Sequence, residues 1–224
     1  MARKQKKSDK LYAVVGLGRF GFALAEELAA KGCDVMVIDR DRKRVEEAAD
    51  FTDNAFVVEE MTRENLEETG IAEADVAVIC IGDKIDVSIL TTLTVLRLGV
   101  PKVISKASSA EQGEVLKLLG AEVVYPERDM ALRLAGKLIS PNILEYISLS
   151  DEIDIMEIKL SEKAEGKTVI EMNLRSRYGL NIIARRRGDT ISTDILPNMV
   201  LHAGESITVI GKTDSIHKFE NDLL

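Results

Sequence analysis

The chain has few of the residue types that carry acid–base, nucleophilic or metal chemistry. Its 224 residues include two histidines, two cysteines and no tryptophan, and only 4% are aromatic. For His202 and His217, a surface or capping role is a simpler interpretation than proton transfer. Cys33 and Cys80 lack the spacing of a metal site, and we interpret them as buried thiols in a reducing compartment. An enzyme that relies on such side chains is therefore disfavoured.

Long apolar runs and an overall basic charge are also missing. No run approaches the roughly 18 apolar residues that span a bilayer, and the first residues lack the apolar segment of a signal peptide. The formal charge of −8 argues against general nucleic-acid binding, which usually needs a basic face. We therefore expect a cytoplasmic protein that does not bind nucleic acid.

Residues 1–10 depart from this acidic balance, because they include Arg3, Lys4, Lys6, Lys7 and Lys10. A flexible, solubilising tail is the simplest interpretation of such a charge run. The alternative is a tail that contacts an anionic surface or a membrane-bound partner.

The most informative motif present is GLGRFG at Gly16–Gly21, which follows an apolar strand-like run and opens a helix-like stretch. Gly16 permits a tight turn, Gly18 lets the backbone approach a pyrophosphate, and Gly21 lets helix and strand pack closely. Asp39 ends the next apolar run, at the distance expected for an acid that accepts hydrogen bonds from a ribose. Together these features predict an adenine-nucleotide site.

Apolar strand-like runs alternate with helix-like segments through the first half of the chain. Runs that are apolar on both faces and separated by helices are typical of a parallel sheet covered on both sides. One of these helices is predicted to open with a capping box at Ser108–Glu111 and to end at Gly120. The runs are Tyr12–Val15, Val35–Ile38, Ala55–Val58, Val76–Ile81, Val103–Ile104 and Val123–Val124. They predict an α/β fold, with a Rossmann-like, doubly wound parallel sheet over residues 11–127.

The pattern changes after Pro126. Residues 128–150 are predicted to form crossover helices or a linker, with a break at Ser140-Pro141 and a second helical piece over Asn142–Ile147. Residues 151–224 carry strand signals and end in a predicted helix over Asp214–Leu223. The strands are predicted at Ile153–Lys159, Asn181–Arg186, Thr190–Ser192 and Ser206–Ile210. We therefore expect a second, small α+β domain.

Further candidate ligand-binding residues follow the other strands, where ligands of open α/β sheets bind. Lys106 ends the fifth strand and Glu127 follows the sixth, so both could face the crevice or form an ordinary ion pair. Arg19 is either a surface residue or a partner of phosphate oxygens, in which case binding would depend on the number of phosphates. Arg40 could stack on adenine or remain solvated. A carboxylate such as Glu127 holds a cation well only if phosphate oxygens and waters complete the shell.

Several motifs of the chain are shared with one family. They are GLGRFG at Gly16–Gly21, Ile81-Gly82, SILTTL at Ser88–Leu93, PERDM at Pro126–Met130 and NLRSRYG at Asn173–Gly179. With these motifs the chain resembles the RCK regulatory subunits of Ktr/Trk potassium uptake systems, and most of all the Ktr type. The resemblance extends from about Leu11 to Leu224.

The resemblance implies a Rossmann-like N-lobe, a crossover helix and a C-lobe, in homodimers that assemble into a homo-octameric ring. The ring would dock on a membrane potassium-translocating subunit from the cytoplasmic side. ATP and ADP are the cofactors implied for the Ktr type, NAD or NADH is the alternative, and Mg²⁺ or another divalent cation would accompany the nucleotide. The implied nucleotide-binding residues are Gly16, Gly18, Arg19, Phe20, Gly21, Asp39, Arg40, Met61, Thr62, Ile81, Gly82, Lys106 and Glu127. Arg19 is implied at a γ-phosphate, including that of a neighbouring subunit, and Glu127 at the cation.

One segment departs from the family pattern, which has Gly-Asp-Ala-Thr or a close variant after the third strand. This chain instead has Glu59-Glu60-Met61-Thr62. Thr62 fits the pattern, whereas Glu59 and Met61 differ and affect the contacts expected at the adenine edge.

The resemblance also implies a second ligand in the C-lobe, since some Ktr-type relatives bind cyclic di-AMP at the dimer interface. The matching positions are Val169, Ile170, Arg175, Ser176, Asn181, Ile182, Ile183 and Pro197. An Arg for phosphate, an Asn for polar contacts and apolar residues against adenine suit such a ligand. The alternative is an ordinary dimer core.

The sequence is compatible with three functions. The leading one is a nucleotide-sensing, non-enzymatic subunit that gates potassium transport. An NAD-dependent oxidoreductase is disfavoured because no acid–base group is evident in the second domain. A nucleotide-sensing transcription regulator is disfavoured by the acidic charge and by the lack of a recognition-helix module.

Overall fold

The computed structural model describes residues 8–82, 84–139, 142–150 and 152–223. The chain divides into two compact units, Met1–Glu127 and Arg128–Leu224. Residues 1–7 of the predicted tail and the predicted break at Ser140-Pro141 lie outside the described residues. Residues 8–10, which the sequence suggested were part of the tail, belong instead to the first strand.

A parallel sheet of six strands forms the centre of the first unit, as predicted. The strands are β1 Ser8–Val15, β2 Cys33–Asp39, β3 Asn54–Val57, β4 Val76–Ile79, β5 Lys102–Lys106 and β6 Glu122–Val124. Their order is β3-β2-β1-β4-β5-β6. Val15 of β1 is in register with Ile38 of β2 on one side and with Ile79 of β4 on the other. The chain order reverses at this point, and such a reversal opens a crevice at the carboxyl ends of the strands.

Helices cover both faces of this sheet. They are α1 Arg19–Ala30, α2 Arg42–Ala48, α3 Arg63–Glu68, α4 Ile85–Arg97 and α5 Ala110–Leu118. Helix α6, Pro126–Ile139, follows β6 and continues past residue 127 into the second unit. Because successive residues of a strand face opposite sides, the fully buried Val14 and Val15 belong to two separate apolar clusters. Both clusters are predicted by the uninterrupted apolar runs in the sequence.

The capping box predicted at Ser108–Glu111 is wrong by one residue in its N-cap, and the reciprocal bond from the third helical residue goes to the backbone N–H of Ser108 and not to that of the N-cap. Ser109 is the N-cap of α5, and its hydroxyl oxygen accepts a hydrogen bond of 3.2 Å from the backbone N–H of Gln112. The third position of the helix is therefore occupied by Gln112 and not by Glu111. Two adjacent serines made the sequence ambiguous at this point.

The second unit contains an antiparallel sheet of five strands. These are β7 Ile143–Ser148, β8 Ile153–Lys159, β9 Asn181–Arg187, β10 Thr190–Ser192 and β11 Ser206–Lys212, in the order β10-β9-β11-β8-β7. The remaining helices are α7 Val169–Met172, α8 Leu174–Tyr178 and α9 Thr213–Leu223. Phe219 of α9 is buried with Met156, Ile158 and Ile207 of the sheet. This unit is the small α+β domain expected from the sequence.

The helix predicted over Asn142–Ile147 is wrong, because this segment is strand β7. Tyr146 pairs with Met156 of β8, and a register shift lies between Ile143 and Glu145. The shift leaves Leu144 as an extra residue, which interrupts the alternation of inward and outward side chains by which strands are recognised.

Within the described part of the chain, no helix has the length and apolar character needed to cross a membrane.

Candidate nucleotide-binding site

The glycine motif forms a tight turn between β1 and α1, against the end of β4. Gly16 has a φ of +98°, a conformation that favours glycine. A β-carbon on Gly16 would lie 3.1 Å from the backbone of Cys80 and Ile81. A β-carbon on Gly21 would collide with the carbonyl oxygen of Gly16 and lie 3.0 Å from Cβ of Cys80. Gly16 and Gly21 are therefore required for the packing of the turn.

Gly18 has a different environment. It is the N-cap residue of α1, its φ is −66°, and no atom lies within 4 Å of the position its β-carbon would take. Gly18 has no side chain with which to cap this helix, so the N-cap residue leaves the first backbone N–H groups, at the positive end of the helix dipole, available to another acceptor. The twelve-residue α1 thus begins at a position suited to bind an anion such as phosphate.

Asp39, at the end of β2, is 6% exposed and joins that strand to the glycine loop and to the start of α2. One carboxylate oxygen accepts a hydrogen bond from the backbone N–H of Leu17, inside the glycine loop. The other accepts one of 2.8 Å from the backbone N–H of Asp41. A carboxylate offers about four acceptor directions, so Asp39 can bond the loop and still accept hydrogen bonds from a ribose.

Arg44 of α2 approaches the same carboxylate and was missed in the sequence. Its guanidinium lies 4.0 Å from an oxygen of Asp39 and 3.5 Å from one of Asp41. The sequence feature that could have indicated this contact is the spacing of Asp41 and Arg44, because residues three positions apart share one face of a helix. By contrast, Arg40, predicted at the nucleotide, is exposed.

Lys106 at the end of β5 and Glu127 at the start of α6 form an ion pair, as one of the two interpretations predicted. The Lys106 side chain is 13% exposed, whereas that of Glu127 is 69% exposed. The Lys106 ammonium lies 3.5 Å from the position of a β-carbon on Gly82, so it is at the carboxyl end of β4 as well. The hydrogen bond from Lys106 lowers the pKa of Glu127, and the nearby charge of Arg19 lowers it further. Arg19, Lys106 and Glu127 are thus neighbours around the crevice.

Cys80 is buried, as predicted, but Cys33 is only partly buried. Burial raises the pKa of the Cys80 thiol to about 12, in spite of the positive charge of Lys106 nearby. At neutral pH Cys80 is therefore a protonated, unreactive thiol that packs between the glycine turn and β4.

Four other predicted nucleotide residues have evident structural roles. Phe20 is half-buried and packs against the apolar cluster on one face of the sheet, and Met61 packs against the cluster on the other face. The hydroxyl oxygen of Thr62 accepts a hydrogen bond of 3.3 Å from the backbone N–H of Asn65 and so caps α3. Ile81 is half-buried against the same cluster as Met61.

The residues predicted for a second ligand form two groups in the second unit. In the first group, the backbone N–H of Ile170 donates to the carbonyl of Pro197 at 2.9 Å, next to Val169, whose N–H donates to Met199 at 3.0 Å. Ile170 is 66% exposed. This group presents an apolar surface at the start of α7.

The second group lies on α8 and at the start of β9. Arg175 and Ser176 are exposed on α8, while Asn181 and Ile182 pair with β11. A register shift between β9 and β11 leaves Ile183 as an extra residue, and its side chain is 39% exposed. A positive charge, an amide and apolar side chains thus occur along a short stretch of chain.

The two histidines have structural partners, as expected for surface or capping residues. Nδ1 of His202 lies 2.9 Å from a carboxylate oxygen of Glu165, and that hydrogen bond lowers the pKa of Glu165. Nδ1 of His217 lies 3.6 Å from Glu220. Among the described residues, no group of His, Cys, Asp and Glu side chains is arranged to hold a metal ion. A single carboxylate such as Glu127 holds a cation well only when other ligands, such as phosphate oxygens and waters, complete the shell.

Comparison with known proteins agrees with this geometry. The TrkA-N domain family matches residues 12–126 and the TrkA-C domain family matches residues 155–224. The chain therefore belongs to the family of proteins with a TrkA-N domain followed by a TrkA-C domain, and the resemblance drawn from the sequence motifs is confirmed.

Within this family the chain is similar to proteins of Ktr potassium uptake systems. It is 36% identical over 216 residues to Ktr system potassium uptake protein C of Bacillus subtilis (strain 168), which covers 96% of this chain and 98% of the relative. It is 32% identical over 215 residues to potassium uptake protein A of the same organism, with 96% and 97% covered.

Solved structures share the fold at lower identity. The RCK domain of GsuK superposes with a TM-score of 0.51 and 22% identity, over 98% of this chain and 48% of that one. The GsuK channel bound to NAD gives a TM-score of 0.50 and 22% identity, over 96% of this chain and 39% of that one. The chain thus spans about half of the GsuK RCK structure and about two fifths of the chain of the GsuK channel.

Proposed function

We propose that the chain is a nucleotide-sensing regulatory subunit of a Ktr-type potassium uptake system and not an enzyme. The observation that carries this proposal is the open N-terminus of α1 at Gly18, with Asp39 and Lys106 on either side. Phosphates would bind at the helix N-terminus, the ribose would bind Asp39, and Lys106 would neutralise phosphate charge. Membership of the family and the names of the relatives support a role in potassium uptake.

ATP and ADP are the proposed ligands, and Arg19 is the proposed discriminator between them. Arg19 is exposed on the first turn of α1 and close enough to Glu127 to lower the pKa of that carboxyl. A γ-phosphate beyond the helix N-terminus would reach this pair of opposite charges. Arg19 would pair with phosphate oxygens, and Glu127 would share a divalent cation such as Mg²⁺ with them.

We propose that the chain works as a homodimer within a larger ring, the octamer implied by the resemblance. Helix α6 supports this, because four of its apolar side chains are more than half exposed: Met130 at 59%, Leu132 at 56%, Leu134 at 54% and Leu138 at 75%. Met130, Leu134 and Leu138 are spaced four residues apart and share one face of the helix, and exposed apolar side chains of this kind are typical of an association surface. The ring would bind the cytoplasmic side of a membrane potassium-translocating subunit.

NAD or NADH remains the alternative ligand, since Asp39 would accept hydrogen bonds equally well from the adenosine ribose of either nucleotide. The structure of the GsuK channel bound to NAD belongs to a protein of the same fold. Only ATP and ADP, however, differ by a γ-phosphate that Arg19 could detect.

Cyclic di-AMP is the proposed second ligand, in the TrkA-C domain. The exposed guanidinium of Arg175, the side chain of Asn181 and the apolar Ile170 and Ile183 offer the contacts that a dinucleotide requires. A two-fold symmetric dinucleotide would suit a symmetric dimer, in which each residue acts twice.

The test of the proposed function is potassium flux into proteoliposomes that hold the membrane subunit of the corresponding Ktr system. With the chain added, flux should be higher in ATP than in ADP, and Gly18→Asp should abolish the difference. Equal flux in ATP, in ADP and without the chain would contradict the proposal.

A further inference from the structure

A cluster of buried polar side chains lies beside the proposed nucleotide crevice, and none of these side chains is among the proposed ligands of the nucleotide. Ser88, Thr92 and Ser105 are fully buried, and Gln112 is 4% exposed. These residues come from α4, β5 and α5. Uncharged polar side chains are buried at a cost unless each finds a hydrogen-bond partner, so their arrangement requires an explanation.

The side chains form one continuous hydrogen-bonded network. The Thr92 hydroxyl donates to the Ser88 carbonyl at 2.7 Å, and its oxygen lies 3.0 Å from the Ser105 hydroxyl. The Gln112 amide nitrogen donates to the Ser88 hydroxyl at 3.3 Å. The Gln112 amide oxygen accepts from both the backbone N–H and the hydroxyl of Ser108, at 2.8 and 2.9 Å.

This network fixes the backbone on both sides of Lys106. Ser105 precedes Lys106 and is tied to α4, while Ser108 follows it and is tied to α5. On the other side, Ala107 donates a backbone hydrogen bond of 3.0 Å to Val124 of β6. Satisfied networks of buried polar groups select one arrangement out of several that an apolar core would allow. The direction in which the Lys106 side chain leaves β5 is therefore set from within the domain.

We propose that Thr92 and Gln112 are positioning residues that hold the Lys106 ammonium where it meets a nucleotide phosphate. This inference rests on the proposed function, because it takes Lys106 to be a phosphate ligand. The network adds no contact to the nucleotide, and its effect on affinity passes through Lys106 alone. A ligand contact that is held in place in advance loses less freedom on binding than one that is not.

The central variant is Thr92→Val, with Thr91→Val as its matched control. Thr91 is the adjacent residue of α4 and is also fully buried, but within the described structure its hydroxyl has no hydrogen-bond partner. Both substitutions replace a hydroxyl by a methyl group in the same helix. Calorimetric titration with ADP should show about a fivefold weaker Kd for Thr92→Val, because part of the charge-assisted contact of Lys106 with phosphate, which is itself equivalent to roughly tenfold or more in Kd, would be lost. Thr91→Val should bind as the wild type does.

The same titration in a Lys106→Met background separates positioning from general damage to the fold. Without the ammonium there is nothing to position, so adding Thr92→Val should change the Kd by less than about twofold. An equal loss in both backgrounds, or unchanged affinity of Thr92→Val alone, would overturn the inference. If Lys106→Met itself binds ADP normally, the proposed phosphate role of Lys106 fails instead, and the inference with it.

Gln112→Met keeps the test decisive if Thr92→Val does not fold. This substitution removes the hydrogen bonds of the Gln112 amide to Ser88 and to Ser108 with little change of side-chain volume. We expect the same fivefold weakening of the Kd, again only when Lys106 is present. Thr92→Ser keeps the hydroxyl and should restore the wild-type Kd. A Thr92→Ser protein as weak as Thr92→Val would show that packing, and not the hydrogen bond, is responsible.

Discussion

The buried carboxylate of Asp39 accepts a hydrogen bond from the backbone N–H of Leu17, and so joins the end of β2 to the glycine loop. Asp39 therefore has a structural role before any ligand binds. The same carboxylate also accepts the backbone N–H of Asp41 at the start of α2. We infer that binding of a ribose at Asp39 and the conformation of the phosphate-binding loop depend on each other.

Substitution of Asp39 should consequently affect both stability and binding. Asp39→Ala leaves the N–H groups of Leu17 and Asp41 without their acceptor and should lower the free energy of unfolding by about 1–3 kcal/mol. Asp39→Asn keeps one acceptor oxygen, so it should lose less stability but still weaken nucleotide affinity. Urea denaturation and calorimetric titration measure the two effects. Full nucleotide affinity in both variants would rule out Asp39 as the ribose ligand.

Arg19→Ala should weaken ATP binding more than ADP binding. A charge-assisted contact to phosphate contributes about 1.5–3 kcal/mol, or roughly tenfold or more in Kd. Arg19 is exposed, so the variant should unfold at the same urea concentration as the wild type. The Kd for each nucleotide is measured with the purified variant. Equal losses for ATP and ADP would show that Arg19 does not detect the terminal phosphate.

Two glycines of the motif should respond differently to alanine. Gly21→Ala places a β-carbon against the carbonyl oxygen of Gly16 and against Cys80, and such overpacking costs about 1–3 kcal/mol of stability. Gly18→Ala meets no atom within 4 Å, and the poorer N-cap is offset by the lower conformational entropy of the unfolded chain, so this variant should change stability much less. Thermal unfolding of both variants provides the comparison. Similar melting temperatures for the two would contradict the packing described for the turn.

An ion pair in the second unit should make its stability depend on pH. Nε of Arg186 donates to Glu157 at 2.7 Å, and Ser206 donates to the same carboxylate at 2.5 Å. Burial acts to raise the pKa of Glu157, but these two hydrogen bonds outweigh it and hold the pKa below its ordinary value of 4.5. Glu157 therefore stabilises the folded state fully above pH 4.5, and this contribution is lost as the pH falls through the folded pKa.

Arg186→Gln tests this assignment. Since the Arg186 side chain is 41% exposed, solvent screens the pair, and the loss of stability at pH 7 should be small. The difference in stability between wild type and variant should shrink as the pH falls below 4.5. Urea denaturation followed by circular dichroism at several pH values measures it. A difference that stays constant down to pH 3 would indicate that lost packing, and not charge, is the cause.

The sheet of the first unit was predictable because its strands are buried on both faces and therefore appear as uninterrupted apolar runs. The error there was one of length, since β4 was predicted to extend to Ile81 and ends at Ile79. The next residues, Cys80 and Ile81, are apolar as well, but they pack against Gly16 instead of continuing the strand. Local sequence does not distinguish these two uses of an apolar residue.

Other features depended on contacts between distant parts of the chain. The extra residue Leu144 disrupts the alternation of inward and outward side chains along β7. Segment 143–148 is a strand because it pairs with β8, which lies further along the chain. Thr92 and Ser105 are thirteen residues apart, and the sequence carries no signal that their hydroxyls meet. The glycines, Asp39, Lys106 and Glu127 were identified as candidates from motif and position, whereas Arg44 became evident only from the structure.

Gly18→Asp tests the central claim, which is that an adenine nucleotide binds at the N-terminus of α1. The β-carbon has free space, and Asp is a favoured N-cap residue, so the variant should fold with equal or greater stability. Its negative charge would occupy the phosphate position. Calorimetric titration with ATP, ADP and NADH should give saturable binding to the wild type, strongest for ATP or ADP, and none to the folded variant. A wild-type protein that binds none of these nucleotides, or a Gly18→Asp protein that binds them equally well, would contradict the account.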